Sequence, residues 1–259
     1  MFWHGHTVVT RQTFPAIIVV GATNTVKPMK EREMTWIGLG NPTPAPAVLP
    51  YRSFDWRNGD RVFLPIENFV LQGSLSDVLN SRRTARTFGP IESKDLSAIL
   101  WLTCRIQQTL SSELGFPLTL RPVPSAGAIH PIHVLILERS VAAWQRYDPL
   151  QHSLVTVYGS ESFADASRKA ASEVLEIQQG LIIGLAAEPG KVAAKYQESA
   201  SLVWRDAGVL LGYLSIVSEA LNLNFCPLGI TGDPSISNLD EEGRLAGVGL
   251  AILGSRNPA

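Results

Sequence analysis

The chain has 259 residues, 45% of them hydrophobic and only 17% charged, a globular composition that excludes a disordered protein. It leaves one large domain, or a domain with an extension, able to bury a sizeable core. The net charge of −1 gives no basic footprint for nucleic acid, and so low a charge content favours surface hidden in an oligomer. Two distant cysteines, Cys104 and Cys226, make neither a CxxC pair nor a disulfide framework, so a reducing, cytoplasmic setting is expected. No apolar run approaches the roughly 20 residues of a membrane span, so no membrane is expected as a partner.

In chain order, Pro15 to Ala22 is a short apolar run, read as a buried strand or ordered arm rather than a signal peptide. Asn41-Pro42-Thr43-Pro44-Ala45-Pro46 and Leu49-Pro50 cannot donate a regular ladder and read as extended connection. Residues 1–70 are therefore expected to be an N-terminal extension with little core of its own, wrapping the main body or a partner subunit. Residues 71–259 are the main domain. Ser74-Leu75-Ser76-Asp77 has the form of a capping box with Asp in the acidic place, opening a helix that runs to the arginines at 82 and 83. Ser93 caps a second helix through Leu96, Ile99, Leu100 and Leu102. Residues 133–138, 180–187, 153–157 and 248–253 read as strands, and 161–179 as a long helix. Residues 200–221 form a helix apolar nearly all round, either central or at a subunit interface. Helices and strands without strict βαβ alternation indicate an α+β sheet flanked by helices.

Two stretches suit cofactor chemistry. Ser81-Arg82-Arg83-Thr84-Ala85-Arg86-Thr87-Phe88 sets three guanidiniums beside a hydroxyl. Arginine offers a fixed fork of donors to phosphate or a ring carbonyl, which fits an anionic, ring-bearing ligand. A solvated basic helix end is the alternative for that stretch alone. Pro124-Ser125-Ala126-Gly127-Ala128-Ile129-His130-Pro131 is a glycine-bearing loop. His130 and His133 have no third ligand nearby, and His4 and His6 sit near the start, so no metal site is read.

Together the two stretches resemble the flavin-binding pattern of the nitroreductase family. Its first motif reads Arg-Arg-Ser-x-Arg-x-Phe, and its SagB-type branch has Pro-Ser-Ala-Gly-Ala in the second. The resemblance runs from about Leu64 to the C-terminus. It implies the nitroreductase fold, with a central, mostly antiparallel sheet flanked by helices in an intertwined homodimer that holds FMN at its interface. Carried over by position, Arg82, Arg83, Thr84 and Arg86 correspond to the first set of flavin contacts. Pro124, Ser125, Ala126 and Gly127 correspond to the loop near the flavin ring, which the family supplies from the other subunit. Pro227, Leu228 and Gly229 correspond to the loop passing over the ring, and Ser255 and Arg256 to the stretch closing on the phosphate.

Lys195-Tyr196 falls in register with a Lys-Tyr pair of the SagB-type azoline dehydrogenases, with Asp206-Ala207-Gly208 where that branch has Glu-Ala-Gly. Those enzymes oxidise thiazoline or oxazoline rings in ribosomally made peptides. The resemblance thus implies an FMN-dependent dehydrogenase whose partners include a cyclodehydratase complex and a precursor peptide. Aromatising such a ring removes a proton from carbon and a hydride to the flavin, so a base is needed. Tyrosine is a weak base at neutral pH, and a neighbouring ammonium favours its ionised form. A surface Lys-Tyr dipeptide is the plain alternative. After the pair this chain departs from the branch, holding Gln197, Ser199, Ser201 and Leu202, and Asp206 replaces Glu. Two other functions stay open: a nicotinamide-fed nitroreductase or quinone reductase, and a flavin-binding structural subunit of a biosynthetic complex.

Overall fold

The computed structural model describes residues 37–71, 73–177 and 179–256. Pro15–Ala22, His4 and His6 lie outside the described residues. Two short strands come first, β1 (Thr43–Pro44) and β2 (Asn58–Phe63). Helix α1 (Leu75–Ser81) opens on the capping box that the sequence spells: Ser74 Oγ accepts from the Asp77 N–H at 3.2 Å, and the Asp77 carboxylate accepts from the Ser74 N–H at 2.9 Å. Helix α2 (Ser93–Cys104) starts one residue earlier than a Ser93 cap implies, with Glu92 as a cap residue that makes no side-chain capping bond. A small hairpin of β3 (Gln108–Leu110) and β4 (Leu118–Leu120) follows. Then come β5 (Ile132–Leu137), β6 (Gln145–Asp148), β7 (Ser153–Val157) and α3 (Glu161–Val174). The chain continues through β8 (Leu181–Ala187), α4 (Pro189–Ala193), β9 (Tyr196–Gln197) and α5 (Ala200–Ala220). It ends with β10 (Leu223–Pro227) and β11 (Ala246–Ser255). Helix α3 stops five residues short of the expected Gln179. Leu175 turns to extended backbone, and it and Ile177 pack against the core instead.

Seven strands form one sheet in the order β10-β11-β8-β5-β6-β7-β2, antiparallel at every pairing. Both faces of its centre are covered, which explains why these strands read as unbroken apolar runs. Alternation sorts their side chains. Val134, Ile136, Ile183, Leu185, Ala251 and Leu253 meet α2 and α5 on one face, through Leu96, Ile99, Leu100, Ala207, Leu210 and Leu214. Leu135, Leu137, Ile182, Ala186, Leu250 and Ile252 join Trp144 and the α3 residues Ala164 and Ala171 on the other. At one edge, β2 comes from the segment read as an extension. Trp56 and Leu64, on either side of it, are buried. The proline-rich segment is also used: Thr43 and Pro44 pair with Gln197 and Tyr196, and the Ala45 N–H donates to the Lys195 carbonyl at 2.9 Å. Proline is tolerated there because a two-residue edge ladder leaves its missing donor outside.

Helix α5 is long and apolar enough to cross a membrane by length and composition. Here Val203, Ala207, Leu210 and Leu214 pack on the sheet, while Trp204, Val209 and Tyr213 face outward.

Two buried polar clusters tie strand ends to loops. Glu188, fully buried after β8, accepts from the Phe54 N–H and pairs with Lys191 at 3.0 Å and His133 at 3.1 Å. Burial alone would raise its pKa, but His133 and Lys191 outweigh that and hold it at about 2. In the second cluster, Ser97 donates to the Pro65 carbonyl, so its oxygen must accept from His152 Nε2 at 2.8 Å. The other ring nitrogen then accepts from Tyr147 at 2.8 Å. This Ser-His-Tyr chain is fully buried and ties β7 to α2.

Two buried histidines make the fold sensitive to acid. Burial pushes the pKa of His130 down to about 3 and of His133 down to about 4, so both stay neutral when folded. The unfolded chain protonates them near pH 6.5 and so binds more protons below that pH. Stability present above about pH 6.5 is therefore lost progressively as pH falls toward about 4. Thermal midpoints measured from about pH 8 downward should fall across that window, and less steeply in His130→Gln.

Candidate active site

The loop before β5 is held in an uncommon backbone conformation. Gly127, Ala128 and His130 have φ of +64°, +58° and +48°. The left-handed region costs a residue with a Cβ about 1–2 kcal/mol, so Ala128 and His130 persist there only because their surroundings fix them. Asp206 of α5 supplies that constraint. Its carboxylate accepts from Ser125 Oγ at 2.5 Å and from the Ala126 N–H at 3.1 Å, and Ser125 Oγ in turn accepts from the His130 N–H at 2.9 Å. Burial raises the Asp206 pKa, and the two bonds from Ser125 and Ala126 oppose that rise. The sequence places Asp206 in register with a substrate-side acid. Its position in the fold is that of a clamp on the loop.

Lys195 and Tyr196 converge on the same loop. A Cβ built on Gly127 would lie 2.9 Å from Lys195 Nζ and 3.0 Å from Tyr196 Oη. Neighbours along a chain often diverge. Here both side chains reach one point, between the end of α4 at Ala193 and the two-residue strand β9. Lys195 Nζ also sits over the Tyr196 ring, 5.6 Å from its centroid. Beyond that contact, neither Nζ nor Oη has a hydrogen-bond or ion-pair partner among the described residues. The structure thus gathers Ser125, Ala126, Gly127, Lys195, Tyr196 and Asp206 into one cluster with a free ammonium and a free phenol at its surface. Pro124, exposed, precedes it.

A second cluster gathers the other expected residues. The segment after α1 runs beside β10: the Ala85 N–H points to the Phe225 carbonyl at 3.4 Å, Asn224 donates to the Thr87 carbonyl at 2.8 Å, and Gly89 bridges Ser255. Arg256 pairs with Glu219 at 2.6 Å, and the Arg82 charge also reaches Glu219. Arg86 and Thr84 are exposed, and the Arg86 charge reaches Cys226. Arg83 turns back on its own backbone, donating to the Asn80 and Arg82 carbonyls at 2.9 and 2.8 Å. At the far end of β10, Pro227 and Gly229 are exposed, while Leu228 is a core residue whose N–H donates to Leu250. Leu223 pairs with Ser255 and Pro227 with Ala251, so the two ends of this ridge are about 13 Å apart. The clusters lie near opposite ends of α5. Asp206 and Glu219 are separated by roughly 20 Å along its axis. Glu219 was not legible as a site residue, since a single acid at a helix end gives no signal of the arginines that fold onto it.

The comparisons with known proteins fit this architecture. A sequence model of the nitroreductase family matches residues 79–242. The chain belongs to the nitroreductase family, whose members are FMN-dependent oxidoreductases. No protein of curated function matches it in sequence. Among solved structures, it is similar to a protein assigned as a nitroreductase from Ralstonia eutropha JMP134, with a TM-score of 0.55 and 18% identity over 85% of this chain and 100% of that one. A protein so assigned from Anabaena variabilis has a TM-score of 0.52 and 21% identity over 73% of this chain, which spans 40% of that longer one. A chain of the Escherichia coli microcin synthetase McbBCD complex, solved with truncated pro-MccB17 bound, has a TM-score of 0.51 and 16% identity over 76% of this chain and 77% of that one. These similarities bear on the fold.

Two substitutions test the clamp. Asp206→Asn keeps the shape but cannot accept from both Ser125 and Ala126 while leaving no donor misplaced. A loss of about 1–3 kcal/mol in stability is expected, with faster amide exchange at residues 125–130 than elsewhere. Gly127→Ala would push a methyl group against Lys195 and Tyr196. It should keep the fold while displacing both side chains, read as a changed Tyr196 ring environment by NMR.

Proposed function

We propose that the protein is an FMN-dependent dehydrogenase that oxidises a thiazoline, oxazoline or related heterocycle in a ribosomally made peptide or natural product. The convergence of Lys195 and Tyr196 on Gly127, within the loop that corresponds to the family's flavin loop, is the observation that favours this reading over a plain surface dipeptide. A side chain at Gly127 would fill the space where the two functional groups meet, and a flat ring approaching the loop needs that space open.

Arg82, Thr84 and Arg86 would hold FMN with solvent-facing donors, and the ridge from Arg82 and Ser255 to Pro227–Gly229 suits an elongated ligand. Arg256 would contact the phosphate only by exchanging Glu219 for it. When bound, FMN supplies the hydride acceptor. Tyr196 would take the proton from the ring carbon, and Lys195, its ammonium unpaired, would stabilise the phenolate that accepts it. The ring loses one proton and one hydride and becomes aromatic. The distance between the two clusters supports a homodimer in which the loop of one copy completes the site of the other. The bare outer face of α5, with Trp204, Gly208, Val209, Gly212 and Tyr213 exposed, is suitable ground for that contact.

Purified protein is expected to be yellow and dimeric, with one FMN per chain. Arg82→Ala should weaken FMN roughly ten- to a hundredfold, the loss of one charge-assisted contact. A protein that stays colourless after incubation with FMN would remove the basis of the reading. Tyr196→Phe and Lys195→Ala should keep FMN and lose about 10²–10⁴-fold in turnover of an azoline peptide, assayed with candidate cyclodehydratase partners present. Normal flavin reduction in Tyr196→Phe would reject Tyr196 as the base.

A nicotinamide-fed reductase is the second reading, favoured by the similar structures from Ralstonia eutropha and Anabaena variabilis being assigned as nitroreductases. Rapid bleaching of the flavin by NADPH without any peptide would select it.

A further inference from the structure

A cavity of about 190 Å³ lies between the end of the β3–β4 hairpin, the start of β5 and the β6–β7 turn. One wall is Pro124, Ser125 and Asp206, so it adjoins the clamped loop without including Lys195 or Tyr196. Arg121, Arg146 and Lys191 bring three cations to its lining, and Asp148 and Asp206 bring two carboxylates. Most of these charges are already matched. Lys191 pairs with Glu188 at 3.0 Å, and Asp148 pairs with Arg61 at 2.8 Å. Asp206 takes its bonds from Ser125 and Ala126. His130 and His133, also in the wall, are neutral near pH 7.

Two guanidiniums remain incompletely matched. Arg121 donates from Nε to Thr119 Oγ1 at 3.0 Å and forms no ion pair among the described residues. Burial lowers its pKa, so water has been taken from it without a carboxylate in exchange. Among the described residues, Arg146 donates to the Asn58 side chain at 3.3 Å and sits over the face of Trp56, 5.5 Å from its centroid, and it forms no ion pair within 4 Å. The charge of Asp148 acts on it, yet its Nε is buried with no hydrogen-bond partner. Desolvated cations and unpaired donors cost free energy unless an acceptor meets them. Arginine's planar fork matches the two oxygens of a carboxylate or phosphate.

We propose that this cavity binds a small oxyanion, a carboxylate or phosphate group, held by the forks of Arg121 and Arg146. The site shares Pro124 and Ser125 with the proposed flavin loop but includes neither Lys195 nor Tyr196 nor the arginines proposed for FMN, and it does not depend on the dehydrogenase reading. Because Ser125 and Asp206 form part of its wall, occupancy would stiffen the loop they hold.

The test uses protein as purified with FMN in excess, so that any flavin phosphate site is already filled. Thermal midpoint and calorimetric titrations are run at constant ionic strength with inorganic phosphate, with succinate, and with succinamide as the uncharged control. A saturable rise with phosphate or succinate, but not with succinamide or sodium chloride, is expected. A rise with one and not the other identifies which oxyanion the site takes. Arg121→Met should abolish the saturable rise, and Arg146→Met should weaken binding by roughly tenfold or more. In unmutated protein, the same anion should slow phenylglyoxal modification of Arg121, read by peptide mass spectrometry, which tests the site even if Arg121→Met does not fold. Equal responses to all salts, undiminished binding in Arg121→Met, or unprotected Arg121 would each overturn the proposal.

Discussion

Helix α5 has to bury one face against the sheet and leave the other bare, and the rest of the arrangement follows from that. Its inward face seals the sheet through Val203, Ala207, Leu210 and Leu214. The one acid on that packed surface, Asp206, faces the loop before β5 and fixes it. Thirteen residues on, Glu219 gathers Arg256 and the charge of Arg82. A single rigid rod thus positions both clusters, and its length sets their separation.

The loop shows how strain and packing cooperate. Ala128 and His130 occupy the left-handed region, which neither favours, and the bonds from Ser125 and Ala126 to Asp206 hold them there. Gly127 has no such penalty, and its missing side chain is where Lys195 and Tyr196 meet. The loop backbone is thus tied by hydrogen bonds while its surface at Gly127 carries no side chain. The nearby Glu188 cluster anchors the start of β5 through His133 and of α4 through Lys191, so the two segments that flank the loop and the Lys-Tyr pair share one buried carboxylate.

Family membership and the motif residues are separate findings with separate foundations. The sequence match over residues 79–242 and the antiparallel sheet establish the family. Family membership names no substrate, and at Gln197, Ser199, Ser201 and Leu202 the chain departs from the SagB-type pattern that its motifs resemble. Those positions lie at the end of β9 and the start of α5, beside the Lys-Tyr pair.

The sequence by itself determined the local and the periodic. The Ser74–Asp77 capping box, the apolar strands at β5, β7, β8 and β11, and the long helix α5 were all legible, because caps and hydrophobic period are set by residues a few positions apart. The motifs at 82–86, 124–127 and 195–196 stood out in the sequence as candidates for chemistry. Tertiary structure alone decided what they meet. Strands β2, β6 and β10 escaped notice because short, partly polar segments acquire strand structure from the neighbours that pair with them. The turn of Arg83 onto its own backbone, the pairing of Arg256 with Glu219, and the clamp of Asp206 on Ser125 join residues far apart or differently oriented than spacing suggests. Such contacts depend on how elements pack, and one sequence read along its length holds no measure of that distance.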